Sequence, residues 1–210
     1  MRDEHCHIIW DVDDGSRTLD ESLLMLDAAK RVGITEIVAT PHMRWSDFDE
    51  GKVRDHFLQL REEATKRGIK MALGFEVFYR TLLDKGLDQA QRFVRAGSKD
   101  LLIEFNTGGP MSQGWERTVY ELQGTYGLDI TIAHPERYST VLDDFESVYR
   151  ILDMDCRIQV SAGDLFDGFF SPVSRCAKRI IKEELCDALV SDAHRPEHYE
   201  QFGKALAKYF

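Results

Sequence analysis

The sequence lacks the features of a membrane protein or of a disulfide-stabilised secreted protein. No apolar run among its 210 residues approaches the roughly 20 residues that a membrane span requires, and residues 1–7 are acidic and polar, unlike a secretory signal. The four cysteines form no CxxC pair, which predicts reduced thiols and no disulfide. We therefore expect a cytoplasmic protein that does not insert directly into a membrane.

Positive charge is also scarce. The chain has 27 Lys and Arg residues against 37 Asp and Glu residues, which gives a formal net charge of −10. Because nucleic acids and anionic lipids are held mainly by Lys and Arg, this balance argues against nucleic acid or a lipid surface as the main partner. An anionic ligand of this chain would need cations concentrated at its own site.

The motifs of several common chemistries are missing as well. No GxGxxG or GxxxxGK[ST] loop is present, which argues against a nucleotide site. No cysteine is followed by arginine six positions later and no GxSxG occurs, which excludes cysteine-based phosphatase chemistry and a serine nucleophile elbow. Asp11, Asp13 and Gly15 resemble the start of a calcium loop, but Gly15 stands at a ligand position and Ser22 replaces the closing Glu, so an EF-hand is excluded.

Short apolar runs alternate with amphipathic stretches, a pattern typical of βαβα order and hence of a parallel sheet. Seven strands are predicted, at residues 5–9, 35–39, 70–76, 100–105, 129–133, 157–162 and 187–191. A capping box at residues 18–21 predicts the first helix, and residues 196–210 are predicted to form the last. We predict a single α/β domain over residues 1–210. Because seven units are present instead of the eight of a regular barrel, the domain is expected to be a distorted seven-stranded barrel. An open doubly wound sheet is the alternative.

Histidines and carboxylates cluster at the predicted C-terminal ends of the strands, where folds of this class carry their chemistry. Five of the seven histidines stand there, whereas His56 and His198 fall in helical stretches. Predicted strand six alone contributes no such group. We predict a metal centre formed by nine residues: His5, His7, Asp14, His42, Glu76, Glu104, His134, Asp192 and His194.

The composition of this set indicates divalent cations. Imidazole and carboxylate are ligands of zinc, manganese and iron, and nine such groups exceed what one ion needs, so two or three ions are expected. Carboxylates crowded together would repel one another without cations. Taken singly, a strand-end His is more often structural, a strand-end carboxylate is often a helix cap, and Asp14 has the alternative role of forming the turn before Gly15. The prediction therefore depends on the joint placement of the nine residues.

Several segments, in this order and at this spacing, also resemble a known family. They are His5-Cys6-His7-Ile8, Asp13-Asp14-Gly15, Glu21-Ser22-Leu23, Val38-Ala39-Thr40-Pro41-His42, Gly74-Phe75-Glu76, Leu102-Ile103-Glu104-Phe105, His134-Pro135-Glu136-Arg137-Tyr138 and Ser191-Asp192-Ala193-His194. Together they resemble the polymerase-and-histidinol-phosphatase (PHP) domains, and within them the bacterial tyrosine phosphatases of capsule and exopolysaccharide systems. The resemblance covers most of the chain.

The resemblance implies a fold, a cofactor and a substrate. The fold would be a distorted seven-stranded barrel of PHP type. The nine residues above would hold three divalent ions, manganese first, with iron, zinc or magnesium as alternatives. The substrate would be phosphotyrosine on a protein, in particular on the bacterial tyrosine kinase that regulates polysaccharide export.

The expected reaction is attack on phosphorus by a metal-bridging hydroxide, without a covalent phosphoenzyme. Arg137 follows predicted strand five where the family has an arginine, and it is expected to bind the phosphoryl group and offset its charge. Arg195 resembles a second phosphate-binding arginine of the family, and Arg44 is a third candidate for substrate binding. Asp14 and His194 are the other expected catalytic residues, and the leaving group would take its proton from His194 or from a metal-bound water.

Other functions stay open from the sequence alone. A PHP phosphoesterase acting on a small phosphomonoester such as histidinol phosphate is the first alternative. An amidohydrolase would normally need a His on strand six, which residues 159–163 do not contain, and a non-catalytic metal-stabilised module would have lost ligands that are all present here. Phe166, Phe169 and Phe170 are interpreted as a substrate rim, a subunit contact or core. The native metal and the oligomeric state are left open.

Overall fold

The computed structural model describes residues 1–44, 48–168 and 170–209. These residues form nine strands: β1 (Arg2–Cys6), β2 (Glu36–Ala39), β3 (His42–Met43), β4 (Lys70–Leu73), β5 (Glu76–Phe78), β6 (Asp100–Glu104), β7 (Asp129–Ala133), β8 (Arg157–Ser161) and β9 (Ala188–Val190). They also form eight α-helices: α1 (Leu19–Arg31), α2 (Glu50–Lys66), α3 (Tyr79–Lys85), α4 (Trp115–Gly124), α5 (Ser139–Asp143), α6 (Glu146–Asp153), α7 (Pro172–Lys182) and α8 (Pro196–Tyr209). Short 3-10 turns occur at Leu87–Arg92, Pro135–Arg137 and Gly163–Phe166.

The strands pair in parallel and form two sheets. One sheet has the order β1-β2-β4, and the other has the order β3-β5-β6-β7-β8-β9. Parallel neighbours need long crossover connections, which most of the helices supply. The predicted α/β fold with parallel sheets is confirmed.

The predicted number of seven strands is wrong, because two strands are interrupted. The run predicted at 35–39 is followed by a second short strand, β3, and the run predicted at 70–76 is divided into β4 and β5. Pro41 separates β2 from β3, since a residue without an N–H cannot complete a ladder. Beside it, Gly74 separates β4 from β5, and pairing resumes where the Glu76 N–H donates to Pro41 O at 3.1 Å.

The first strand begins and ends three residues earlier than the predicted range of 5–9. The start of β1 is not recognised from the sequence, because an acidic residue such as Asp3 is usually exposed to solvent. In the structure Asp3 is fully buried and accepts hydrogen bonds from the Ser191 N–H at 3.0 Å and from Ser191 Oγ at 2.6 Å. His7 therefore lies just beyond β1, and its N–H donates to Ala193 O at 2.9 Å.

The helices bury their apolar faces against the sheets. Thr18 caps α1 by accepting a hydrogen bond from the Glu21 N–H at 3.2 Å, as the capping box predicts, while the Glu21 carboxylate binds the Arg17 N–H at 2.8 Å. The apolar face of α2, with Phe57 and Leu60, is buried, and each such side chain contributes about 1.5–3 kcal/mol. The helix predicted over 196–210 is α8, and residue 210 lies outside the described residues. Within the described ranges, no helix combines the length and the apolar character needed to cross a bilayer.

Two strand ends adopt an uncommon backbone conformation. His134, after β7, has a φ of 30°, and Asp192, after β9, has a φ of 47°. Non-glycine residues rarely occupy this region, and holding them there costs on the order of 1–3 kcal/mol. The chain thus turns sharply directly after each strand, and both side chains lie beside His5.

Candidate metal centre

Glu76, at the start of β5, lies at the centre of a buried cluster. Its Oε2 atom is 2.8 Å from His42 Nδ1, 3.4 Å from His5 Nε2 and 3.4 Å from His7 Nε2. Its Oε1 atom is 2.8 Å from His134 Nε2. All five side chains are buried. One carboxylate therefore faces imidazoles that come from the ends of β1, β3 and β7.

Two atoms of this cluster form no hydrogen bond to the described residues. Glu76 Oε2 and His42 Nδ1 are buried and have no hydrogen-bond partner in the described part of the chain. A buried polar atom without a partner costs about 1–3 kcal/mol, so its presence in a folded protein requires an explanation. Lone pairs that converge in this way are typical of metal ligands.

The donor atoms fall into three groups, each with its members within 4.8 Å of one another. The groups are His7, Asp14, His42 and His194; His5, His7 and Asp192; and His42, Glu76 and Glu104. Among the nine predicted ligands, His134 alone is outside these groups, and it contacts Glu76 instead. Mixed imidazole and carboxylate groups suit manganese, iron or zinc, so the residues present fit more than one divalent ion.

Two residues that sequence analysis did not select hold the histidines from behind. Asp13 Oδ2 lies 2.8 Å from His7 Nδ1 and accepts the His42 N–H at 3.0 Å, and Gln159 Oε1 lies 3.2 Å from His5 Nδ1. Such partners fix the orientation of a ligand histidine and the nitrogen that it presents to a metal. Gln159 lies on β8, which corresponds to predicted strand six, the strand that was expected to supply no ligand. The position of Asp13 directly before a predicted ligand was the available signal for it.

Asp14 reaches two histidines from the turn after β1. Its Oδ1 atom lies 3.4 Å from His42 Nε2 and 3.3 Å from His194 Nε2, while 58% of its side chain stays exposed. The turn depends on Gly15, because a Cβ at this position would lie 2.5 Å from His7 Cβ. The glycine therefore permits the Asp14 turn to lie against the buried side chain of His7.

Two of the histidines, His42 and His7, are more basic than an ordinary histidine. Burial is the largest single influence on the pKa of His42 and acts to lower it, but Glu76 and Asp14 together raise it to about 9. For His7 burial acts in the same direction, and Asp13 is the first group that raises its pKa well above the ordinary value. The metal-free site thus carries protons that metal ions would have to displace.

Two of the carboxylates, Glu76 and Asp192, are correspondingly more acidic than usual. Burial opposes the ionisation of Glu76, yet the charges of His5 and His42 hold the pKa of that carboxyl well below its ordinary value. Burial also opposes the ionisation of Asp192, and Arg137 is the first group that lowers its pKa. Both groups are therefore ionised and able to bind a cation at neutral pH.

Arg137, from the turn after β7, lies at the edge of this cluster. Its Nε atom donates to Asp164 Oδ2 at 2.6 Å, and its Nη2 atom lies 2.8 Å from Asp192 Oδ2. Asp192 Oδ2 also accepts a hydrogen bond from Ser161 Oγ at 3.0 Å. The guanidinium is therefore fixed between two carboxylates, and one of them belongs to a donor group of the metal centre.

The other two candidate arginines are engaged in different contacts. Arg44 Nη2 forms a bidentate ion pair with Glu104, at 2.5 and 2.6 Å. Arg195 Nη1 donates to the backbone oxygens of Gly15 and, at 2.6 Å, of His194, and its Nε lies 3.6 Å from Glu21 Oε1. In this arrangement Arg195 connects the turn that carries Asp14 to the chain after β9.

A cavity of about 300 Å³ opens beside the centre. It is lined by Arg137, Gly163, Asp164, Phe166, Asp167, Ser191, Asp192, His194, His198 and Gln201. Of the three phenylalanines singled out in the sequence, Phe166 is 41% exposed at this cavity and Phe170 is 84% exposed, so neither is core. Phe169 lies outside the described residues.

Comparison with known proteins decides the family. Residues 1–202 match the family described as "Capsular polysaccharide synthesis, CpsB/CapC". The chain belongs to the CpsB/CapC family. Among CpsB/CapC relatives, the putative tyrosine-protein phosphatase CapC of Staphylococcus aureus is 30% identical over 198 residues, covering 92% of this chain and 77% of the relative. The tyrosine-protein phosphatase CpsB of Streptococcus agalactiae serotype III (strain NEM316) is 30% identical over 225 residues, covering 100% and 91%.

Solved structures agree with this assignment. A chain from the crystal structures of YwqE from Bacillus subtilis and CpsB from Streptococcus pneumoniae, described as unique metal-dependent tyrosine phosphatases, matches with a TM-score of 0.85 and 28% identity. The match covers 87% of that chain and 100% of this one. The putative histidinol phosphatase HisK of Listeria monocytogenes shares the fold, with a TM-score of 0.64 at 14% identity and full coverage of both chains. The family predicted from the motifs is confirmed.

Proposed function

We propose that this chain is a metal-dependent protein-tyrosine phosphatase. The observation that carries the proposal is the convergence of buried imidazole and carboxylate donors around Glu76, beside the fixed guanidinium of Arg137. The CpsB/CapC relatives are named as tyrosine-protein phosphatases, and the matching crystal structures are described as metal-dependent. Geometry and family therefore support the same chemistry.

The centre would hold three divalent ions, one for each donor group, with manganese as the proposed metal and iron, zinc or magnesium as alternatives. Bound ions of this kind lower the pKa of water and so supply a nucleophile near neutral pH. Asp14, His194 and the other predicted ligands, His134 included, would bind the ions. Asp13 and Gln159 would keep His7 and His5 in the orientation that leaves Nε2 of each ring turned towards Glu76.

Arg137 would bind the phosphoryl group. Its Nε and Nη2 atoms are engaged by Asp164 and Asp192, whereas Nη1 makes no hydrogen bond to any described residue. Arginine presents its N–H groups in a rigid fork, so fixing two of the nitrogens also fixes the third. The Nη1 group is thus a preorganised donor for an oxygen that gains charge in the transition state. Arg44 and Arg195 stay weaker candidates, because Glu104 and the Gly15 carbonyl engage them.

We infer that the two sheets form one distorted seven-stranded barrel within a single domain of residues 1–210. β2 with β3, and β4 with β5, would each count as one interrupted strand. Backbone hydrogen bonds of 2.9 Å, from the Asp192 N–H to His5 O and from the His7 N–H to Ala193 O, support closure between the last strand and the first. This closure would bring all the strand ends to one mouth.

The proposed substrate is a phosphotyrosine protein, in particular the tyrosine kinase that controls polysaccharide export. The family description, capsular polysaccharide synthesis, supports this choice of pathway. The four cysteines are free thiols, which agrees with a reducing cytoplasm as the proposed location.

The proposal is tested by substrate choice. Metal-stripped protein reconstituted with manganese is assayed on a phosphotyrosine peptide, the same peptide with phosphoserine, and histidinol phosphate, with His42→Ala as the ligand variant and His56→Ala as the matched control. We expect phosphate release from phosphotyrosine alone, lost in His42→Ala and kept in His56→Ala. Turnover of histidinol phosphate with none of phosphotyrosine would instead identify a small-molecule phosphoesterase. No turnover of any substrate by metal-loaded protein would identify a non-catalytic module.

A further inference from the structure

The cavity beside the metal centre has a lining of two kinds. Arg137, Asp192 and His194 belong to the centre itself. The remaining walls come mainly from residues 163–167 and from the first turns of α8. They contribute an aromatic ring, an imidazole and an amide from Phe166, His198 and Gln201, together with Ser191 and the carboxylates of Asp164 and Asp167. The cavity volume of about 300 Å³ is at the lower end of the range for small-molecule sites. The site therefore continues beyond the group that would bind phosphate.

His198 is held in one tautomer. Its Nδ1 atom accepts a hydrogen bond from the backbone N–H of His194 at 3.1 Å. An accepting nitrogen carries no proton, so the proton of the neutral ring is on Nε2. Across residues 1–44, 48–168 and 170–209, no hydrogen bond to His198 Nε2 is found. The ring thus brings the N–H group of Nε2 to the cavity wall as its donor.

Phe166 supplies an aromatic surface in the same wall. Its side chain is 41% exposed, although large apolar side chains are usually withdrawn from water. Aromatic rings pair favourably with one another in offset or edge-to-face arrangements, at about 0.5–1.5 kcal/mol beyond the burial of area. A substrate that extends from Arg137 along this wall would meet Phe166 with an apolar ring and His198 with a hydrogen-bond acceptor.

We propose that this wall is the subsite for the aryl leaving group, with His198 Nε2–H as the hydrogen-bond donor to the phenolic oxygen. The inference rests on the proposed function. When an oxygen from water forms its bond to phosphorus, the bond to the phenolic oxygen breaks and its electron pair stays on that oxygen. His198 stabilises this developing phenolate and keeps its own proton, because losing it would leave an imidazolate. Solvent then protonates the phenolate, and inorganic phosphate is the other product.

The test uses leaving groups of different basicity. Phenolate is a strong base, whereas p-nitrophenolate is a much weaker one that needs less stabilisation as it leaves. His198→Asn is the informative variant, since the Asn amide oxygen can replace Nδ1 as acceptor for the His194 N–H while the donor at Nε2 is lost. We expect kcat/KM of the manganese-loaded variant to fall about tenfold on phenyl phosphate and to change little on p-nitrophenyl phosphate. The metal content, measured by mass spectrometry, should match that of the wild type.

A second variant tests the aromatic surface. Phe166→Ala should raise KM for phenyl phosphate about fivefold with little change in kcat. Tyr120→Ala is the matched control, because Tyr120 is 73% exposed on α4 and does not line the cavity. His56→Asn is the matched control for His198.

The outcomes separate the subsite from the function. Active wild type with an unchanged ratio of the two aryl phosphates in His198→Asn would overturn the donor role. An equal loss on both substrates with loss of metal would show that His198 only supports His194, which also overturns it. Wild-type protein that is loaded with manganese and hydrolyses neither aryl phosphate would overturn the proposed function, and the subsite with it.

Discussion

Arg137 and Asp192 form an ion pair at the edge of the candidate metal centre, with Nη2 2.8 Å from Oδ2. The other oxygen of the same carboxylate, Oδ1, lies 3.4 Å from His7 Nε2. Asp192 therefore links the guanidinium to the ligand cluster, and its left-handed backbone conformation places it there. The proposed phosphate-binding group and the proposed metal ligands are therefore linked by one residue.

Arg137→Ala should lower kcat/KM on a phosphotyrosine peptide by about 100-fold, because a preorganised donor to the phosphoryl oxygens is removed. Arg137→Lys should recover little of this loss, since lysine keeps the charge but not the fork that binds Asp164 and Asp192 together. Arg150→Ala is the matched control, because Arg150 is 54% exposed and pairs with Asp144 on the surface. Retention of wild-type kinetics in Arg137→Ala would remove it from the site.

Asp13→Asn should weaken manganese binding about 10- to 100-fold, because Asp13 orients His7 at 2.8 Å. Isothermal titration calorimetry on metal-stripped protein measures the change. Asp11→Asn serves as the control, since Asp11 is 67% exposed and pairs with Lys52. Equal affinity in the Asp13 and Asp11 variants would contradict an orienting role.

Gly15→Ala should destabilise the protein by about 1–3 kcal/mol and reduce its metal content, because the new Cβ would lie 2.5 Å from His7 Cβ. Urea unfolding and metal analysis report the two effects. Gly124→Ala, in α4, is the control, because a Cβ there meets no atom within 4 Å and alanine favours helix. A Gly15→Ala protein as stable and metal-rich as the wild type would show that the turn can relax.

The metal-free protein should lose stability as pH rises from about 6.5 to 9. The ordinary pKa of histidine is 6.5. Burial acts to lower the pKa of His42, but Glu76 and Asp14 together raise it to about 9 in the folded state. Because the folded state binds this proton more tightly, the contribution is complete below pH 6.5 and is lost as pH passes 9. Thermal unfolding of metal-free wild type and His42→Gln across this range isolates the contribution. Parallel curves for the two proteins would contradict the assignment.

The clustering of the proposed ligands could be predicted from the sequence because parallel strands end at a common edge. Residues such as His42, Glu76 and Glu104 stand at the ends of short apolar runs. The alternation of these runs with amphipathic stretches is therefore enough to predict that the residues lie near one another. The interruptions at Pro41 and Gly74 were harder to predict. They depend on how neighbouring chains pair, which no single segment encodes.

Residues that reach the site from outside the strand ends were harder to identify. The sequence places His198 in a helical stretch and not at a strand end, although its ring accepts a hydrogen bond from the His194 N–H and lines the cavity. Arg195 matched a family position by its type, but the direction of its side chain is set by the nearby carbonyl of Gly15 and by Glu21. Side-chain direction at the start of α8 depends on the packing of distant segments, which local sequence patterns do not report.

The most direct test of the account is a metal titration. Wild-type protein is stripped by chelation, its metal content is measured, and phosphotyrosine hydrolysis is followed while manganese is restored in known molar ratios, with Glu76→Gln treated in parallel. We predict no turnover without metal, activity that saturates only above one ion per chain, and no recovery in the variant. Full turnover by protein shown to be free of metal would contradict the central claim.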